Sequence, residues 1–329
     1  MKTNLLKFGV IGVGHLGQHH VKHYCSITDI DFVGFYDTDP KRSHEISKNF
    51  RTKSFESLEK LLLCVDAVSI VSPTIYHSKI AEKCILLKKH VFIEKPITST
   101  VEEADRLIQL SEKRNVIIQV GHIERLNPAL KALNKYLLEP KYMEIQRLSP
   151  YSIRGTDVPV VLDKMIHDID IALFLANSDV NIISASGLSI LTDSIDIANA
   201  RIEFNNGCVA NITSSRVAKD EIRKIKIFQK NLYATIDLHK GLTEVYSINN
   251  KNSVNNESLM KVPFNYKGQE KLIHYDKPTV LENDALKLEL INFIRSIKGY
   301  EKPIVDGYSG REALKIAIEI QNKISKGLN

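Results

Sequence analysis

A chain of 329 residues with 43% hydrophobic content is long enough to bury two cores rather than one. Its formal net charge of +6 comes largely from lysines spread along the chain, which suits a small anionic ligand such as a nucleotide and does not point to nucleic acid. Four scattered cysteines without a CxxC pair exclude a zinc knuckle or disulfide framework and fit a reducing cytoplasm, while no stretch approaches the roughly twenty apolar residues of a membrane span.

The N-terminal apolar run is broken by glycines and His15 and lacks a cleavage site, so it is not read as a signal peptide. From Lys7 to Val120, short apolar runs (KFGVIGVG, DFVGFYD, DAVSIVSP, HVFIEKP, NVIIQVGH) alternate with amphipathic stretches after Gly17 and over 40–49, 55–63, 76–89 and 100–114. That rhythm predicts an α/β fold: a doubly wound parallel sheet of the Rossmann type over residues 1–122. Thr100 three residues before Glu103 predicts a capping box. After His122 the pattern becomes a helix, NPALKALNKYLLE, a strand, YMEIQRL, and an apolar helix, LDKMIHDIDIALFLA. Strand patterns then dominate to about residue 248, with Asn205-Asn206-Gly207 as a hairpin turn. Residues 249–282 have poor periodicity and read as a long loop, and helices over 284–298 and 309–326 close the chain. Residues 123–329 are thus expected to form a second α/β domain with a mostly antiparallel open sheet.

Four motifs carry chemistry. In GVIGVGHLG, Gly12 permits a tight turn, Gly14 lets backbone approach a pyrophosphate, and Gly17 allows close packing of the helix whose N–H groups face the anion; His15 and Leu16 share this loop. Asp37, twenty residues beyond Gly17 at the end of the next strand, can accept both ribose hydroxyls and would repel a 2′-phosphate, so NAD is preferred to NADP. Lys41 and Arg42 stand close enough to soften that exclusion. The second motif ends a strand with Glu94, Lys95 and Pro96 at the carboxyl edge of the sheet, where open α/β folds place ligands. A lysine there can stabilise a reacting alkoxide or simply close a strand at the surface. Third, Asp163 and His167 share a face of a largely apolar helix, as a proton acceptor with its carboxylate or as a satisfied core histidine; Asp168 and Asp170 read as caps or as surface or interdomain contacts. Fourth, VGHIERLNPA offers His122, Glu124, Arg125 and Asn127, with Arg125 able to engage a phosphate and Glu124 suited to an interdomain salt bridge. His15, His19 and His23 recur at helical spacing beside His20, but the stripe begins inside the phosphate loop, and no metal site is expected.

Together GVIGVGHLG, the EKP tripeptide and the Asp163 to His167 spacing resemble the Gfo/Idh/MocA family of sugar and cyclitol oxidoreductases over essentially the whole chain. Within it, VGHIERLNPA, VVLDKMIHDIDI and SSRVAKDEIRKIKIFQ are most similar to the subgroup that oxidises the C3 hydroxyl of UDP-N-acetylglucosamine. The resemblance implies Lys95 as catalytic lysine, before a cis peptide bond to Pro96, with His167 as general base and Asp163 as its partner. It also implies cofactor contacts from Glu94 and from the VSPTIYH loop (Ser72, Pro73, Thr74, His77), where Thr74 stands in place of a common Asn. His122, Arg125, Asn127 and Arg154 are the expected substrate contacts, beside Lys95 and His167. A homodimer or homotetramer, a UDP-sugar substrate and a downstream aminotransferase follow from the same likeness. The alternatives are a UDP-sugar uronate, free sugar or inositol as substrate, or a noncatalytic NAD-binding sensor.

Overall fold

The structure, a computed structural model, describes residues 5–152, 158–250 and 258–328. The chain opens with β1 (Lys7–Ile11), α1 (Gly17–Ser26), β2 (Asp31–Tyr36), α2 (Pro40–Phe50), α3 (Leu58–Leu62) and β3 (Ala67–Ile70). It continues through α4 (His77–Leu86), β4 (His90–Glu94), α5 (Val101–Arg114) and β5 (Ile118–Gly121). The five strands lie parallel in the order β2-β1-β3-β4-β5, the doubly wound sheet expected. β3 is buried at all four positions and β4 at four of five, which is why these strands read as continuous apolar runs. Local chemistry sets the helix starts. Asp39 accepts hydrogen bonds from the Lys41 and Arg42 amides with Pro40 at the first position of α2, and Thr100 and Glu103 form the predicted capping box of α5.

Beyond β5 come α6 (Pro128–Lys131), β6 (Tyr142–Leu148), α7 (Ile166–Ala176), β7 (Val180–Leu188), β8 (Ile197–Phe204) and β9 (Val209–Ser215). Then follow β10 (Ile222–Gln229), β11 (Leu232–Asp237), β12 (Leu242–Asn250), β13 (Met260–Tyr266), β14 (Gln269–Asp276), α8 (Ala285–Ile297) and α9 (Gly307–Leu328). The second sheet has nine strands in the order β13-β14-β12-β11-β10-β6-β9-β8-β7, antiparallel except where β6 runs parallel to β9. Asn205, Asn206 and Gly207 (φ 79°) make the β8–β9 hairpin, as their sequence predicted.

Three expectations need correction. The single helix expected over NPALKALNKYLLE is only the one turn of α6 continued by a 3₁₀ turn over Ala132–Lys135. Part of the stretch read as a loop is the β13–β14 hairpin, whose outermost strand is exposed at six of seven positions and so shows no apolar alternation. Lastly, the chain divides into two compact units, one comprising 1–123 with 284–315 and the other 124–283 with 316–329, so the first unit is discontinuous. The cause is apolar: Leu286, Leu290, Phe293 and Ile294 of α8 bury into the cluster of Phe8, Val10, Phe35 and Phe92.

Candidate active site

The glycine loop follows from its backbone. Gly12 has φ 86°, a region closed to most side chains, and a Cβ on Gly17 would lie 2.0 Å from the Gly12 carbonyl oxygen, so α1 can start against the loop only at a glycine. Around Gly14, by contrast, a Cβ would meet nothing within 4 Å; the space there is open. Asp37 builds the loop as well as facing it, because its carboxylate accepts hydrogen bonds from the amides of Val13 (2.7 Å) and Asp39 (2.8 Å), with Arg42 Nη1 at 3.5 Å. A cavity of about 630 Å³ opens beside it, walled by Gly12, Gly14, Tyr36, Asp37, Ser72 and Tyr76 among others. The Ser72 hydroxyl oxygen is buried and has no hydrogen-bond partner among the described residues. A dinucleotide fits this set: a glycine cradle, a carboxylate just past the end of β2, an unsatisfied hydroxyl and a volume within the usual range for ligand pockets.

Residues at the carboxyl ends of β3 and β4 are joined beneath the surface. His77 is buried; its Nδ1 faces the Pro96 carbonyl oxygen at 2.9 Å and its Nε2 the Ser72 carbonyl oxygen at 2.7 Å, and burial pulls its pKa below the ordinary value. This expected cofactor residue thus stands between two loops, and as a neutral ring it donates to one of the two carbonyls. Glu94 is held similarly, with Oε1 3.1 Å from His20 Nε2 and Oε2 accepting the Lys95 amide at 3.2 Å, and Gly121 leaves it room because a Cβ there would stand 2.8 Å from Oε2. Lys95 sits half-buried at this edge and its bond to Pro96 is cis. His15 and Leu16 are exposed, and Thr74 begins a single 3₁₀ turn.

In the second unit, Asp163 lies in a π-helical turn, Val161–Met165, that leads into α7, and His167 is the second residue of α7; both are half-buried. π turns recur at functional sites because the extra residue re-aims side chains. Asp168 and Asp170 are neither caps nor surface groups but are each 1% exposed. Asp168 accepts from Arg147 Nε (2.9 and 3.1 Å) and Nη2 (2.9 Å), and Asp170 from Arg125 Nε (2.8 Å) and Nη2 (2.7 Å). Glu124, expected to bridge domains, instead pairs with Arg147 Nη1 at 2.8 Å inside this unit. Burial alone would raise its pKa, but the Arg147 guanidinium prevails and holds it below the usual range. For Asp168 burial wins and raises it. Asn127 caps α6 through the Ala129 amide and donates to Glu124, so its side chain holds the local backbone. His122 is buried just past β5, and Arg154 lies outside the described residues. Arg147 went unnoticed in the sequence, although strict alternation in YMEIQRL puts it on the same face as the buried Met143 and Ile145.

Two family models cover most of this chain: the oxidoreductase family with NAD-binding Rossmann fold matches residues 6–122, and the Gfo/Idh/MocA C-terminal domain matches 148–231. The chain belongs to the Gfo/Idh/MocA family of oxidoreductases and uses NAD. Among its relatives is the UDP-N-acetylglucosamine 3-dehydrogenase of Acidithiobacillus ferrooxidans, 34% identical over 317 residues that span 96% of both chains. A solved structure of that enzyme superposes with a TM-score of 0.88 at 33% identity, covering 98% of this chain and 99% of the other. The myo-inositol 2-dehydrogenase of Thermotoga maritima is 26% identical across 98% of this chain and 97% of its own.

Proposed function

We propose that this protein oxidises the C3 hydroxyl of UDP-N-acetylglucosamine to the 3-keto nucleotide sugar. The observation that carries the substrate is the 34% identity to the UDP-N-acetylglucosamine 3-dehydrogenase across both units, against 26% for the inositol enzyme. NAD, when bound, supplies the hydride acceptor at C4 of its nicotinamide. What remains for the protein is the hydroxyl proton and the charge left behind. His167 accepts that proton, Asp163 four residues earlier orients the imidazole, and the Lys95 ammonium stabilises the alkoxide as it develops. Arg125, engaged with Asp170, leaves the diphosphate to other cations. Arg154 is one. Lys164 is another: burial pushes its pKa down, the Asp163 carboxylate opposes that shift, and the guanidiniums of Arg223, Arg147 and Arg216 add to it.

A 3-ketone is the group an aminotransferase converts to an amine, which supports a reading in which this reaction precedes an amination in lipid A or surface polysaccharide biosynthesis. Four free cysteines suit a reducing cytoplasm. A row of aromatic rings across the second sheet, Tyr142, Phe228, Tyr233, Tyr246 and Tyr275, suits pairing of two or four copies. The test is NADH absorbance on adding UDP-N-acetylglucosamine, its uronate, UDP-glucose or myo-inositol, with a trapping aminotransferase present. Turnover is expected with the first. Good turnover of another sugar without it would overturn the substrate, and tight NAD binding with no turnover at all would point to a sensor. His167→Asn and Lys95→Met should each lower kcat by about a hundredfold or more while leaving the Kd for NAD nearly unchanged; parallel losses in both would contradict their roles.

A further inference from the structure

We propose that the buried pairs Arg147–Asp168 and Arg125–Asp170 are positioning devices that set the rotation of α7 and hence the direction of the His167 imidazole. The inference rests on the reading of His167 as the base. α7, with the sequence IHDIDIALFLA, is apolar nearly all round; Ile166, Ile169, Ile171 and Ala172 are buried on different sides of it. A helix with a clear polar face is oriented by its burial, but one with no such face can roll without exposing much apolar surface. Rotation must therefore be fixed by directional contacts.

The two aspartates supply them. Two residues apart on a helix, they project about 200° from one another, so each holds the helix against a roll that the other would permit. Each carboxylate is straddled by a guanidinium fork, a geometry that resists rotation in a way a single point contact does not. The forks are themselves anchored. Arg147 comes from β6, on the same buried face as Met143 and Ile145, with Ser214 opposite it in β9 and Arg223 opposite it in β10, and it also grips Glu124. Arg125 stands over the Phe174 ring at 5.0 Å, one helical turn beyond Asp170, and so meets α7 at two heights. Arg223 lies 3.8 Å from Glu124 while pairing more closely with Glu221 at 2.7 Å.

Stability does not account for this cluster, since burying such pairs roughly balances their attraction against lost hydration. Orientation does, because a misplacement of about 1 Å at a reacting group can lower turnover roughly a hundredfold. The experiment replaces one pair with apolar groups of similar size, Arg125→Met with Asp170→Leu, and measures thermal stability, NAD affinity, KM and kcat beside His167→Asn. The expected result is a folded enzyme with the Kd for NAD and KM within about threefold and kcat at least tenfold lower. Arg125→Lys, which keeps the charge but cannot straddle the carboxylate, should fall between it and the wild type and stands in if the double variant fails to fold. Full kcat in either variant, or a kcat loss that merely follows loss of folded protein, overturns the positioning role. An active His167→Asn variant would instead defeat the base assignment, whatever the pairs do.

Discussion

Gly14 and Gly17 lie three residues apart in one loop yet answer to different constraints. At Gly17 the obstacle is the protein itself, since the Gly12 carbonyl that a Cβ would meet at 2.0 Å is backbone and cannot swing aside. Gly17→Ala should therefore cost about 1–3 kcal/mol and lower the melting temperature with or without cofactor. At Gly14 the neighbouring space is open, so Gly14→Ala should melt with the wild type yet bind NAD at least tenfold more weakly, because the methyl enters the path of the pyrophosphate. Calorimetric NAD titration beside thermal melts separates the two, and an unchanged Kd in Gly14→Ala would remove that glycine from the cofactor site. The spacing made the close packing at Gly17 legible in the sequence. It did not reveal that Asp37 also fastens the loop through the Val13 amide, a contact between residues 24 apart that exists only once β1 and β2 pair.

Elements were legible where one face is buried. β6 and β8 alternate cleanly and read as strands, whereas β13 at the sheet edge is exposed on both faces and carried only its turn, Lys267-Gly268, both residues at positive φ, as a signal. The connection between β7 and β8 shows how a loop without periodicity is fixed by one carboxylate. Asp196 is buried and accepts hydrogen bonds from the amides of Ile190, Leu191 and Thr192 and from the Thr192 hydroxyl. Burial alone would raise its pKa, but these donors lower it from 3.8 to about 2. With the folded pKa depressed, its contribution is fully present above the ordinary value and is lost as pH falls through about 2. Asp196→Asn should destabilise the protein by about 1–3 kcal/mol at neutral pH. Urea unfolding of both proteins as pH is lowered from 4 should show that difference shrinking; a difference constant with pH would mean the charge is not what the loop recognises.

At the scale of the whole chain, the sequence announces a Rossmann unit that ends after β5, and everything local agrees with that. What local pattern cannot encode is that the unit is completed from about 170 residues further on. α8 looks like any amphipathic helix, and only the cluster shows which core it belongs to: Phe293 meets Phe8 with ring centroids 6.0 Å apart and Phe92 at 5.9 Å, while Gln119 donates to the Glu289 carbonyl. Phe92 and Gln119 lie on β4 and β5, the strands next to the site edge. Phe293→Ala should accordingly cost about 3–5 kcal/mol, and the lost stability should belong to the unit that holds NAD. Because a ligand that binds only the folded form stabilises it by about 2.7 kcal/mol at a hundred times its Kd, saturating NAD should recover much of the loss. Urea unfolding of Phe293→Ala with and without NAD measures this directly. Had residues 284–315 belonged to the second domain, as the sequence alone suggested, the NAD-linked transition would be indifferent to Phe293, and finding it so would separate α8 from the cofactor unit.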